Sequence, residues 1–251
     1  MTPTRLLPAC LILLLAFPAS AATLTAAVAA NLQPAFGEIQ AAFRQASGHE
    51  IKPVFNSSGR FVAQIKNGAP FDLFLSADMM YPESLHKEGL TDGPPQVYAY
   101  GAVVLWTMKD IDLGQWQKAL ASPAVSRIAV ASASSAPYGR EALRALQTLG
   151  LEAALKPKLV FGESVAQTSQ YIHSGVVDAG FTAKSVVLSP EMKGQGKWVD
   201  LPAGSYQPIA QGTVLLKAAT PASREAARQF KDFLAAPPAR AILQRYGYQL
   251  P

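Results

Sequence analysis

Val54-Phe55-Asn56-Ser57-Ser58-Gly59-Arg60-Phe61 is the stretch on which the fold of this chain turns. An apolar run of Ile51, Val54 and Phe55 stops abruptly at Asn56-Ser57-Ser58-Gly59, and an amphipathic pattern follows with Phe61 and Ile65 one turn apart. That order is strand, tight turn, helix, with two hydroxyls and a glycine at the helix mouth. The first backbone N–H groups of a helix have no partner within it and carry roughly half a positive charge, so anions settle there. A serine in this place can also do no more than cap the helix. Repetition argues for more than capping, because similar mouths recur along the chain.

Working outward, Met1 to Ala22 does not read as part of the fold. Arg5 gives a short positive start, Leu11 to Phe17 an apolar stretch, and Ala19-Ser20-Ala21 a small-residue cleavage pattern. Residues 1–21 are therefore predicted to be a signal peptide, too short in its apolar part to span a membrane. Cys10 lies ahead of most of the apolar stretch, which argues against a lipid anchor. Cleavage removes Arg5 and no acid, so the net charge falls from +5 to +4. With no basic run, that mild excess argues against nucleic acid as a partner. It also removes the single cysteine, so the exported protein has no disulfide and depends on its core. About 230 residues suffice for one. Export without disulfides fits a bacterial periplasm.

The mature chain alternates strands and helices. Thr23 to Ala30 reads as a strand ending at Asn31, and Pro34 sits where a helix begins, followed by Phe36, Ile39 and Phe43 on one face. Strand 51–55 and its helix end at Asn67-Gly68; strand 72–76 and a helix from Tyr81 to Glu88 follow. This βαβαβα order predicts a parallel sheet with helices on both faces. Val97 to Thr107 is longer, interrupted at Tyr98-Ala99-Tyr100-Gly101, and reads as a crossover into a second domain. There the pattern restarts with strands at 127–131, 158–161 and 176–181. Ile209 to Lys217 reads as the return crossover, and two C-terminal helices broken at Pro237-Pro238 should pack on the first domain. The expected architecture is two doubly wound α/β domains joined by two crossover strands. Residues 22–101 and 216–251 form the first domain and 102–215 the second.

Four mouths follow strands in this scheme: at Ala30-Asn31, at Ser57-Ser58, between Ser134 and Gly139, and at Ser164-Val165. Ligands of open α/β sheets bind beyond the carboxyl ends of strands, and two crossovers would turn all four mouths into one cleft. The residues there offer donors and no carboxylate, which suits a fully deprotonated oxyanion.

Enzymatic patterns are weaker. His49, His86 and His173 have no metal-ligand spacing and read as solvated surface residues. Ser84-Leu-His-Lys87 fits S-x-x-K without the motifs that accompany it in a penicillin-binding enzyme, and Gly162-Glu-Ser-Val-Ala166 fails the nucleophile elbow at its last position. Asp72 and Asp78 flank a short buried strand and read as turn or cap residues. No catalytic residue, cofactor or direct protein–metal bond is expected.

At its mouths the chain resembles the periplasmic molybdate-binding proteins of ABC importers. The resemblance covers essentially the whole mature chain. It rests on Ala29-Ala30-Asn31-Leu32, Phe55-Asn-Ser-Ser-Gly59, Gly68-Ala-Pro-Phe-Asp-Leu-Phe-Leu-Ser-Ala-Asp78, Ala136-Pro-Tyr-Gly-Arg140, Glu163-Ser-Val165 and Arg245-Tyr-Gly-Tyr248. It implies a type II periplasmic-binding fold closing on a tetrahedral dianion, molybdate or tungstate, which a monomeric receptor delivers to an inner-membrane permease.

By the same resemblance Asn31 stands at the first ligand site and Ser58 offers hydroxyl and amide. Val165 gives its backbone N–H, and Tyr138 takes the place of a binding tyrosine that another branch carries after strand 176–181, here Ala183. Ala30, Ser57 and Ser135 are secondary candidates. Within the fold the alternative ligand is another anion such as sulfate or a small organic acid. The alternative of another class is a secreted serine hydrolase, which the absence of a histidine beside the mouth serines argues against.

Overall fold

The computed structural model describes residues 21–251; the expected signal peptide, apart from Ala21, and Cys10 lie outside the described residues. In the first lobe the chain runs β1 (Thr23–Ala29), α1 (Gln33–Ser47), β2 (Glu50–Asn56), α2 (Ser58–Lys66), β3 (Leu73–Ser76), α3 (Met80–Lys87) and β4 (Gln96–Gly101). After Ala102 it enters the second lobe as β5 (Val103–Thr107), α4 (Trp116–Ala121), β6 (Ile128–Ala131), α5 (Pro137–Thr148) and α6 (Glu152–Leu155). That lobe continues through β7 (Leu159–Gly162), α7 (Val165–His173), β8 (Ala179–Ala183), α8 (Lys184–Val187) and β9 (Lys197–Asp200). Residues 201–208 lead back to β10 (Ile209–Leu215), α9 (Pro221–Phe233) and α10 (Pro237–Arg245) in the first lobe.

Each lobe is built on a five-stranded sheet, ordered β2-β1-β3-β10-β4 in the first and β7-β6-β8-β5-β9 in the second. The sheets are mixed where the sequence predicted parallel ones. β1 runs parallel to β2 and β3, and β6 parallel to β7 and β8. β10 is antiparallel to β3 and β4, and β5 to β8 and β9. The reason is topological. Strands that feed the mouths run towards the other lobe, whereas β5 and β10 arrive from it and run away.

The same fact moves the domain boundary. Residues 209–215 were expected in the second domain, but β10 is hydrogen-bonded between β3 and β4, so the first lobe resumes at Ile209. The segment read as one long strand, Val97 to Thr107, is two strands in different sheets. The strand expected at 176–181 begins later, at Ala179, and Val176 is exposed.

Core packing fixes how the layers sit. α1 buries Ala35, Phe36, Ile39 and Phe43 against the sheet and against α9 and α10, with the Phe43 and Phe230 rings 5.0 Å apart and nearly perpendicular. The opposite face of that sheet takes α2 through Phe61, whose ring meets Phe71 edge-on. Each such buried side chain contributes about 1.5–3 kcal/mol. In the second lobe Trp106, Leu146 and Ile172 are fully buried in one cluster.

Two charged or titratable groups depart from their expected roles. His49 is buried, its Nδ1 accepting the Ala22 N–H at 3.1 Å, whereas His86 and His173 are exposed as expected. Asp72 is more than a turn residue: its carboxylate accepts from the Thr25 N–H and the Ser223 hydroxyl, both at 2.6 Å, and so ties the start of α9 to β1.

Candidate functional site

The carboxyl ends of β1, β2, β6 and β7 converge where the lobes meet, and the helix starts that follow them enclose one cavity. Ala30 and Asn31 form a tight turn after β1, and Ser57 and Ser58 open α2. Pro137 and Tyr138 open α5, and Val165 is the first residue of α7. All of these line the cavity, with Ala29, Ala77 and Ala136 filling the remaining wall. Its volume is about 10 Å³. Organic-ligand pockets usually run to 300–1,000 Å³, so this cavity has no room for an organic ligand. No charged side chain lines it among the described residues.

The hydrogen-bond inventory shows which donors remain for a ligand. Ser58 is fully buried and its Oγ accepts the Ala77 N–H at 2.9 Å, so its own proton is uncommitted. Ser57 stands at the cap position of α2 yet makes no side-chain cap bond; its buried Oγ has no partner among the described residues. α5 also starts without a side-chain cap. At α7 the Ser164 hydroxyl accepts the Gln167 N–H, which leaves the N–H of Val165 outside the helical ladder.

Asn31 is held from several sides. Its Nδ2 donates to Gln211 Oε1 at 2.7 Å and Tyr248 Oη at 2.9 Å, with Tyr138 Oη a third neighbour at 3.5 Å. Two amide protons are thus spent on two short bonds. Gln211 cannot be turned around, because its Nε2 donates to the carbonyls of Ala77 and Ile209. Asn31 therefore has no side-chain proton left for a ligand. Its Oδ1 is buried without a partner among the described residues, so the expectation of a cavity made of donors alone is corrected by this one acceptor.

Tyr138 is buried, and burial pushes its hydroxyl well above the ordinary tyrosine range. Burial likewise pushes Tyr248 up to about 12. Both hydroxyls remain protonated at neutral pH and able to donate. The Tyr138 hydroxyl fits only because residue 101 is glycine: a Cβ there would lie 1.9 Å from it.

Ser135 is the secondary candidate that the structure does not bring in. Its N–H closes a turn to the Ser132 carbonyl at 3.2 Å, and its own carbonyl accepts the Gly59 N–H from the other lobe at 2.9 Å. Ala183 ends β8 in the core and is not among the lining residues.

These lobe-to-lobe bonds, with Ser185 Oγ donating to the Asn31 carbonyl at 2.6 Å, describe two lobes in contact around a small, uncharged, donor-rich cavity. The family model for bacterial extracellular solute-binding proteins matches residues 24–249. The chain belongs to this family. It is 39% identical over 239 residues to the molybdate-binding protein ModA of Rhodobacter capsulatus, covering 95% of this chain and 92% of the relative. It is 38% identical over 238 residues to ModA of Azotobacter vinelandii, covering 94% of each. The solved periplasmic molybdate-binding protein of Azotobacter vinelandii superposes with a TM-score of 0.85 at 33% identity, covering 91% of this chain and 99% of that one.

Gln211 and Tyr248 hold the Asn31 side chain at the cavity wall, and the sequence alone singles out neither for that place. Gln211 is an amide in an otherwise mostly apolar strand that carries one other polar residue, Thr213, and that is the signal that could have drawn attention to it. Tyr248 was quoted only as part of the closing motif.

Proposed function

We propose that this protein is a periplasmic receptor that encloses molybdate or tungstate, as a tetrahedral dianion, between its lobes and delivers it to an ABC-type membrane permease. The observation that carries this is the small cavity with uncommitted donors at three helix starts and no charged side chain. A dianion there meets the Ser57, Ser58 and Tyr138 hydroxyls and the backbone N–H groups of Asn31, Ser58 and Val165. Hydrogen bonds to a charged group contribute about 1.5–3 kcal/mol each, and five or six of them support affinity near or below the micromolar range once association costs are met. Binding and release need no chemistry, and none of the three histidines lines the cavity to activate a serine.

Calorimetric titration with molybdate, tungstate, sulfate and phosphate tests the proposal. Molybdate and tungstate should bind at least tenfold tighter than sulfate, because the larger ions span the cavity and the smaller one leaves donors unmet. Equal or tighter binding of sulfate sinks the molybdate assignment. A second reading, a receptor for hydrogen phosphate, is favoured by one observation: Asn31 Oδ1 is a buried acceptor that such an ion could satisfy. Phosphate as the tightest of the four ligands would establish it.

A further inference from the structure

We infer that Asp78 and Arg140 are positioning residues for ligand retention: their ion pair crosses the mouth of the cleft and holds the second lobe's binding elements over those of the first. Asp78 lies in the turn between β3 and α3, and Arg140 on α5 two residues beyond Tyr138. An Arg140 Nη donates to one carboxylate oxygen of Asp78. The other oxygen accepts the Tyr81 N–H at 3.3 Å and stands 3.4 Å from the Ser76 hydroxyl, so the acid is fixed from its own lobe before the arginine arrives.

Burial separates this pair from the other ionic contact between the lobes among the described residues. The side chains of Asp78 and Arg140 are 11% and 29% exposed, whereas those of Arg60 and Glu163, 2.8 Å apart, are 59% or less but never below 45%. An exposed pair contributes little. A largely buried acid that loses its only cation is left uncompensated, which disfavours the closed state strongly. Around the pair the lobes touch at backbone level, with the Gly59 N–H on the Ser135 carbonyl and the Tyr81 hydroxyl on the Ser134 carbonyl at 3.2 Å. A Cβ at residue 59 would come within 2.9 Å of the Ser135 Cα, so this approach requires glycine.

α5 joins the mouth to both the ligand and the crossover. Tyr138 lines the cavity, Arg140 reaches Asp78, and the adjacent Glu141 accepts the Gln207 N–H at 2.9 Å on the returning crossover segment. Opening the lobes must break the Asp78–Arg140 pair. Ligand entry uses the open form, in which the pair is unmade, so the pair slows release and does not assist capture.

The inference takes the cavity as the ligand site, as proposed above. Its test measures release of radiolabelled molybdate into excess unlabelled ion for wild type, Asp78→Asn, Arg140→Gln and the double variant. Each single variant should release roughly tenfold faster, while association is unchanged or faster and the ligand-free melting temperature stays near that of wild type. The double variant should release no faster than the worse single one, because both remove the same bond. Arg140→Lys, which keeps the charge, should fall between and serves if the glutamine variant does not fold. Unchanged release, losses that multiply, or association slowed as much as release is sped would overturn the inference. A wild type that binds none of the four oxyanions overturns the ligand assignment instead. The pair is then read by small-angle scattering of the ligand-free proteins, where the single variants should be more extended than wild type and equal radii of gyration would overturn the inference.

Discussion

Ser58 Oγ accepts the backbone N–H of Ala77 at 2.9 Å, which fixes the oxygen and leaves the hydroxyl proton as its free valence. Ser57, one residue earlier, has a buried Oγ with no partner among the described residues. The two serines should therefore fail differently. Ser58→Ala strands a buried N–H, so it should lower both ligand-free stability and molybdate affinity, the latter by about tenfold to a hundredfold. Ser57→Ala should leave ligand-free stability unchanged within about 0.5 kcal/mol and reduce affinity alone. Melting curves and calorimetry on the two variants separate these outcomes, and a Ser57→Ala protein with wild-type affinity would exclude that hydroxyl from the site.

Tyr138 brings a hydroxyl from the second lobe to Asn31 of the first. Tyr138→Phe keeps the ring and its packing, so any loss belongs to the hydroxyl. Molybdate affinity should fall by about tenfold to a hundredfold. Combined with Ser58→Ala the losses should not simply add, since both groups serve one ion in one closed state. Gly101→Ala should mimic the loss, because its methyl group would occupy the hydroxyl's place. Wild-type affinity in Tyr138→Phe would mean that the tyrosine only packs.

A ligand that binds the folded, closed protein alone stabilises it by about 4 kcal/mol at a thousandfold excess over Kd. For a chain of this size that corresponds to a rise in melting temperature of about ten degrees. Molybdate and tungstate should produce it, and sulfate at equal concentration should produce little. A sulfate shift of the same size would show that the cavity does not discriminate by radius.

The tyrosines set the alkaline limit. Burial holds Tyr248 at about 12, above the ordinary value near 10. A group whose folded pKa is raised contributes stability that is fully present below its unfolded value and is lost as pH rises through the folded one. Stability and molybdate binding should both stay level up to about pH 10 and fall between about pH 10 and 12. Calorimetry across that range checks it; a binding loss centred near pH 8 would show a hydroxyl already ionised in the closed site.

The alternation of strands and helices, the two lobes and the meeting of Asn31, Ser58, Tyr138 and Val165 were legible because each is a local pattern or a motif. Ser57-Ser58 announces itself as a strand-to-helix turn within eight residues. The rest depends on partners far away in sequence. β10 reads as a crossover because nothing in Ile209–Leu215 says which sheet it will enter; its direction of arrival decides that. Asp78 reads as a turn residue because Arg140, its cation, is brought to it only when the lobes close. Asn31 reads as a residue of the first ligand site, and nothing in the sequence says that Gln211, pinned by two carbonyls, consumes one of its amide protons and Tyr248 the other. Buried polar networks carry no periodicity, so sequence patterns pass over them.

The Tyr248 hydroxyl donates to the Asn31 carbonyl across 217 positions of chain, and Gln249 exchanges two backbone hydrogen bonds with Tyr100 at 2.7 and 2.9 Å. Strand β1 of the first lobe and the segment after α10 are thus joined beside the cavity. A nascent chain has Asn31 long before it has Tyr248. The network around Asn31 is therefore completed only after the last turn of α10 has been made, and both sheets can form before this clasp does.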